Sequence, residues 1–468
     1  MRAIVRLVPG FLVGMGCQAL CAQNAVDPSL LQFSQAVRLT LDHAPSLTSA
    51  RSTVSTAEAQ KLAAIAAFLP SLSLGDQPEI FTPVTPTGSS VIGGVVIPNG
   101  HGYNANVASA NLSLNLFTGG KDVANYHSSV KALSSASLGF TAALETTLGQ
   151  LLTDFSAVCV DQITLENQER IVRVDQDIVD LTSRRVQGRV ASQIDLLQAQ
   201  QQALQARSQL GQARQQHTAD LEKLYTDMGF PQAKSNATLQ ERIPEAPSLA
   251  SADLPTEEDP AVSSARDAVF AAQEKVKAAR AEYSPTVALT FQYNYVGVDP
   301  SSMRRAFDAT RANNYNVALT VTVPLLPFLN VRADIDSAHA AVENAQGQYQ
   351  GALVSATNRA TDASVKLDEA EDTLDLAARS ADLAQRSLRL VQDKYAARQA
   401  DQRDVDTARV AAAQAEQAFA IAQINFRLAG WEHYRALHPN EFSTTLLAAI
   451  ADSGNEAPRA ASPGERLP

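Results

Sequence analysis

Covalent chemistry needs reactive side chains at spacings that a fold can bring to one point, and the 468-residue chain offers no such grouping. It lacks the GxxxxGK loop that cradles phosphates, the HExxH pair that holds a catalytic metal and the GxSxG elbow that presents a nucleophile. The seven histidines are scattered. His433 and His438 flank Trp431 and Tyr434, but with no third ligand nearby they imply no metal site, and the aromatic pair reads as a structural anchor. Of the three cysteines, Cys17 and Cys21 lie in the N-terminal segment, which leaves Cys159 alone. Neither an intramolecular disulfide nor a cysteine-based zinc cluster is expected. No catalytic residue, metal or cofactor is therefore assigned. Two acids do stand out by position: Asp195 and Asp404 occupy the same place in two related stretches, 186–199 and 395–408. An acid there can cap the helix that follows.

Those stretches belong to a larger duplication with a period of about 210 residues. The segment 68–74 has its counterpart in 283–289, and 111–116 in 317–323. Each half reads helix, strand, loop, strand, long helix, turn, helix. The expected organisation is a signal peptide over 1–22, a first repeat over 23–229, a connector over 230–260, a second repeat over 261–437 and a largely disordered tail over 438–468. The strands are expected near 69–81, 103–117, 285–297 and 314–324, and the helical hairpins near 120–229 and 331–430. The connector carries Pro231, Pro244, Pro247, Pro255 and Pro260, which break helices.

The long helices announce themselves by a seven-residue repeat. Leu144, Leu151, Val158, Leu165, Val172, Val179 and Val186 keep one seam, and Leu367, Leu374, Ala381, Leu388 and Tyr395 another. Such a repeat implies coiled-coil packing. About 65 residues of helix reach roughly 100 Å, a length suited to bridging a periplasm. The strands alternate with period two. Leu112, Leu114 and Leu116 oppose Ser113 and Asn115; Val287, Leu289, Phe291, Tyr293 and Tyr295 oppose Thr286, Ala288, Thr290, Gln292 and Asn294. The first strand is the weakest, because Gly75 and Pro78 disturb it. Apolar-outward, polar-inward alternation marks an outer-membrane barrel strand. Four strands cannot close a barrel, and an open edge cannot sit in lipid. Copies must combine, and a ring wider than eight strands is needed for an aqueous lumen.

Arg2 and Arg6 followed by the apolar run 7–20 resemble a secretory signal cut after about Ala22. A net charge of −11 and no basic patch exclude nucleic acid as the main partner. No stretch reaches about 18 consecutive apolar residues, so no membrane-spanning helix is expected.

The strand exit Leu116-Phe117-Thr118-Gly119-Gly120-Lys121, the proline-led strand starts at Pro70 and Pro285, the heptad helices and the turns 189–199 and 398–408 occur together in one family. Over about residues 33–437 the chain resembles TolC-family outer-membrane efflux proteins. The resemblance implies a mixed α and β membrane protein: a homotrimer with a 12-stranded β-barrel, four strands per protomer, continuing into a long periplasmic α-helical barrel built from two tandem repeats. It implies contact with outer-membrane lipid, a periplasmic adaptor and an inner-membrane pump, with passive passage of substrate. In such proteins acids after the second-half turn narrow the periplasmic entrance. Asp404 falls on the first of those positions and Thr407 on the second, where this chain departs from the pattern; Asp401 and Asp406 are nearby acids. Asp404 is thus a gate acid or a cap, Asp401 a cap or a compensating gate acid, Thr407 a further gate candidate by position, and Tyr395 a latch through its hydroxyl or a seam aromatic. Arg189 and Arg398 stand where family turns carry Gly, and Arg189, Val190, Ala191, Asp195 and Arg398 are candidates for the adaptor-docking tip. The function implied is the outer-membrane duct of a tripartite efflux system for small molecules. The alternatives are the outlet of a type I protein secretion system and, more remotely, a structural coiled-coil protein of the envelope.

Overall fold

The computed structural model describes residues 30–81, 89–92, 95–98, 103–230, 238–239, 243–247, 259–299, 302–308, 310–325 and 328–453. The expected signal segment 1–22 lies outside them. In chain order the elements are β1 (Leu30–Leu31), α1 (Phe33–His43), α2 (Pro45–Ala66), β2 (Ser71–Phe81), β3 (Ser89–Ile92), β4 (Val95–Pro98), β5 (Tyr103–Phe117), α3 (Lys121–Gln187), α4 (Gln193–Asp227), β6 (Thr238–Leu239), α5 (Pro260–Arg280), β7 (Thr286–Asp299), α6 (Met303–Asp308), β8 (Thr310–Thr322), α7 (Phe328–Ala396), α8 (Gln402–Leu437) and α9 (Pro439–Ser453).

β2, β5, β7 and β8 form one antiparallel sheet in that order. Gly75 and Pro78 sit in β2, an edge strand, the place where a sheet tolerates proline. The passage from sheet to helix is fixed by two glycines. Gly119 and Gly120 have φ of +66° and +89°, a region costly for L side chains. A Cβ on Gly119 would also lie 2.3 Å from Cβ of Ser284, just ahead of β7. The two strand–helix joints therefore touch, and only glycine permits it.

α3 and α4 form one antiparallel hairpin and α7 and α8 another. The alanine and leucine seams turn inward: Ala203, Ala206, Ala412, Ala422 and Ala429 are buried. Midway along, everything meets in one apolar cluster. Phe33 and Val37 of α1, Leu148, Leu151, Leu152, Phe155 and Val158 of α3, Leu221 and Leu224 of α4, and Trp431 of α8 pack together. Phe33 and Phe155 meet edge to face at 5.0 Å.

One expectation is corrected here. The stretch from 438 onward was expected to be largely disordered, yet 439–453 is helix α9. Its Phe442 and Leu446 are fully buried beside Trp431. The proline, glycine and alanine bias that suggested disorder belongs to the segment beyond Ser453, outside the described residues. Within the connector, β6 pairs in parallel with β1, and the carbonyl of Pro244 accepts from Trp431 Nε1 at 2.9 Å. The proline-rich segment is thereby held against α8.

Candidate functional site

The chemistry this chain can do is concentrated on its surfaces: two helical tips and the two faces and two edges of the sheet. Both tips are built by the same local rules. At the end of α3 the N–H of Val190 reaches the carbonyl of Arg185 and that of Arg189 the carbonyl of Val186; at the end of α7, Gln399 bonds Lys394 and Arg398 bonds Tyr395. These are paired 6→1 and 5→2 bonds, which place the residue after the helix in the left-handed region. Arg189 and Arg398 occupy it, with φ of +60° and +59°.

The following helices open with matching capping boxes. Ser192 accepts from the N–H of Ile194 while the Asp195 carboxylate accepts from the N–H of Ser192 at 3.0 Å. Asp401 accepts from the N–H of Gln402 while Asp404 accepts from the N–H of Asp401 at 2.9 Å. Each box satisfies backbone donors that the first turn leaves free. Asp195 and Asp404 are thus both cap members. Asp404 remains solvent-exposed, so its charge is also available to a passing ion.

Thr407 donates to the carbonyl of Arg403 within its own helix. Tyr395 is exposed in the last turn of α7, and its ring lies near Arg185. Val190 is exposed and Ala191 half-buried. Asp406 is buried and accepts from Gln402 and Arg409.

One partner at the tip was invisible in the sequence. Arg185, in the last turn of α3, grips Asp401 with two N–H···O bonds of 2.7 and 2.9 Å. The fork-shaped guanidinium matches the carboxylate. Arg185 foremost, helped by the N–H of Gln402, holds the Asp401 carboxyl below the usual carboxylate range. This bond ties the first hairpin to the second at the tip. Nothing in the sequence signals it, because the partners lie 216 residues apart.

The sheet has one apolar and one polar face. Register places Leu72, Leu112, Phe291 and Val317 in one row, and Leu114, Leu289 and Leu319 in the next. The opposite face carries Ser73, Asn111, Gln292 and Asn316, then Gly75, Ser109, Asn294 and Asn314. The apolar face is bare: Leu72 is 67% exposed, Val317 59% and Leu319 63%. Tyr293, Tyr295 and Tyr315 stand towards one end of this band.

Among the described residues, both lateral sides of the chain are also unpartnered. In the sheet β2 and β8 are the edges. Among the helices nearest the sheet, α2 packs on α3, α3 on α5 and α5 on α7; nearer the tips, α4 packs on α3, α3 on α8 and α8 on α7. One side is therefore β2, α2 and α4, and the other is β8 and α7. Each carries a stripe of exposed apolar side chains at seven-residue spacing: Val190, Leu197 and Leu204 on the first, Leu376, Leu383 and Leu390 on the second. No helix among the described residues is long and apolar enough to cross a membrane.

The sequence model of the outer membrane efflux protein family matches residues 36–229 and 253–429. The chain belongs to that family. Solved structures agree in fold. The VceC outer membrane protein of Vibrio cholerae superposes with a TM-score of 0.70 at 19% identity, over 86% of this chain and 95% of its own. The CmeC outer membrane channel of Campylobacter jejuni gives 0.72 at 17% identity, over 89% of each chain. The MtrE channel of Neisseria gonorrhoeae, in its open state, gives 0.61 at 17% identity, over 88% of this chain and 89% of its own. None of the curated proteins compared matches the chain. As an outer membrane efflux protein it is a TolC-type channel component, and its four-stranded sheet and long helices follow that fold.

Proposed function

We propose that three copies close side to side into a passive duct through the outer membrane, and that this duct is the exit of a tripartite efflux system for small molecules. The observation that carries the reading is the pair of unpartnered sides. They run from the sheet to the helical tips, and each presents what the other needs. β8 of one copy offers its free N–H and C=O groups to β2 of the next. The exposed leucines of α7 meet those of α4 and α2. Leaving either edge open in lipid would cost several kcal/mol per unsatisfied group. Three copies of four strands give twelve, wide enough for a water-filled lumen. The bare apolar face then meets lipid, with its tyrosines at one interface, and the amide and hydroxyl rows line the lumen.

The hairpin tips, with Arg189, Val190, Ala191, Asp195 and Arg398, form the end that docks the periplasmic adaptor. An inner-membrane pump supplies the energy. Asp404, with Asp401 and the departing Thr407 beside it, rings the periplasmic entrance. Three exposed carboxylates on one axis favour cations. Tyr395 contributes a ring at the same level.

The deciding experiment is reconstitution. Purified protein should run as a trimer in detergent and give discrete conductance in planar bilayers. Monomer without conductance would remove the channel reading. In the same assay Asp404→Ala should weaken block by multivalent cations; unchanged block would take Asp404 out of the gate. Copurification of an adaptor with a resistance-type pump, or with an ATP-driven exporter, separates small-molecule efflux from protein secretion.

A further inference from the structure

Along the face of α3 that meets α4, every seventh residue is polar: Asp154, Asp161, Gln168 and Asp175. In a coiled-coil seam these places ordinarily hold apolar side chains. Asp154 is only 3% exposed and Asp175 likewise 3%. The oxygens Asp154 Oδ2, Asp161 Oδ2 and Gln168 Oε1, together with His217 Nδ1 of α4, are buried without a hydrogen-bond partner. Four orphaned polar atoms in one seam require an explanation, since each costs roughly 1–3 kcal/mol.

For the two carboxylates an explanation lies across the seam. The carboxyl of Asp227 faces Asp154, and that of Asp220 faces Asp161. Two carboxylates cannot donate to each other. If one member of each pair keeps its proton, the orphan oxygen gains an O–H donor and the like-charge repulsion disappears. We propose that the Asp154–Asp227 and Asp161–Asp220 pairs each hold a shared proton, and that loss of these protons loosens α4 from α3 at the root of the first hairpin.

The surroundings support this. Burial, then the facing Asp220, raises the Asp161 carboxyl to about 7. Burial, then Asp154, raises Asp227 to about 6, and Lys223 opposes the rise. Lys223 also bonds Asp154 Oδ1 at 2.7 Å, so the proton is needed only on the other oxygen's side. His217 is held below its usual range by burial, against the pull of Asp220. The other elements packed on this part of α3 present apolar groups, Phe33 and Val37 from α1, Ile424 and Leu428 from α8, and Phe442 and Leu446 from α9, together with three polar side chains of α8: Arg435 against Gly149, Gln417 donating to Thr164, and Arg427 in the pocket lined by Cys159, Gln162 and Glu166. The sign follows. A carboxyl raised in the folded state stabilises below its unfolded value near about 4, and that contribution fades as pH rises through the folded value. The window runs from about pH 4 to about pH 7, and the hairpin root is tight at its acid end.

Hydrogen exchange on the full-length protein in detergent, corrected for intrinsic rates, tests it at about pH 5.5 and about pH 8. Peptides from 150–165 and 216–230 should exchange on the order of tenfold faster at the higher pH, a factor that corresponds to one pKa unit. The Asp161→Asn, Asp227→Asn variant, which replaces each proton by an amide donor, should lose the difference. Equal protection of the wild type at both values, or a difference that survives in the double variant, overturns the proposal. If the double variant does not fold, Asp220→Asn must shrink the difference in the wild-type background, and failure to do so is equally decisive. Glu145, raised to about 7 by burial beside Asp259, provides the control. Glu145→Gln should leave the effect intact; abolition by that change alone would place the switch elsewhere and overturn the pairs.

Discussion

Arg189 and Arg398 hold a backbone conformation that costs an L residue roughly 1–2 kcal/mol. Glycine would remove the strain but adds freedom to the unfolded chain worth roughly 0.5–1 kcal/mol. Arg189→Gly and Arg398→Gly should therefore each raise stability by up to about 1 kcal/mol, read as a higher denaturant midpoint. A lower midpoint would mean that the arginines themselves make stabilising contacts. Asp401 separates two effects by a graded series. Asp401→Asn keeps a good cap but loses the charge that Arg185 grips, and this exposed pair should be worth less than about 1 kcal/mol. Asp401→Ala loses both and should cost about 1–2 kcal/mol. Because Arg185 depresses the Asp401 carboxyl, its contribution is full above about pH 4 and is lost as pH falls through the lower folded value. A loss that appears instead on the alkaline side would contradict that sign.

At the scale of elements, period was legible and partnership was not. The heptads of α3 and α7 and the alternation of β5, β7 and β8 could be seen because each repeats a rule set by backbone geometry. The capping role of Asp401 was readable for the same reason: the requirement is local. The Arg185–Asp401 bond, the orphaned oxygens of the α3–α4 seam and the docking of the connector on α8 could not be read. Each joins residues far apart in sequence. Helix α9 was hidden by its neighbour, since the composition of the tail drowned a short amphipathic run holding Phe442 and Leu446. That helix has consequences for stability. Trp431 is fully buried between the connector and α9. Trp431→Ala should cost about 3–5 kcal/mol, and truncation after Leu437, which strips its cover, should destabilise comparably. A truncated protein with an unchanged thermal midpoint would show that α9 is dispensable to the core.

For the whole molecule, the two faces of the sheet make opposite demands. The nine exposed aliphatic side chains of the sheet, from Leu72 to Val321, would gain on the order of 18 kcal/mol by leaving water, at about 2 kcal/mol for each. In the proposed barrel an arginine on that face would meet hydrocarbon instead. Leu319→Arg should therefore abolish insertion or cost about 2–4 kcal/mol, whereas Asn316→Arg, three residues away on the other face, should insert normally and alter only ion selectivity. Equal tolerance at the two positions would reverse the assignment of faces.

The two sides of the chain differ from one another, β2, α2 and α4 against β8 and α7, so every contact in a ring is head to tail and each subunit serves two neighbours. The proposed ring of three would have no spare contact. A subunit crippled only at β8 still offers an intact β2 side, enters the assembly and leaves it unsealed. Coexpressed in equal amount with the normal chain, such a variant would leave only about one ring in eight free of it, if subunits mix at random. In the proposed ring, then, genetic dominance would follow from the asymmetry of the protomer: damage to one edge would spoil its neighbours' work, while damage that prevents folding altogether would merely halve the supply.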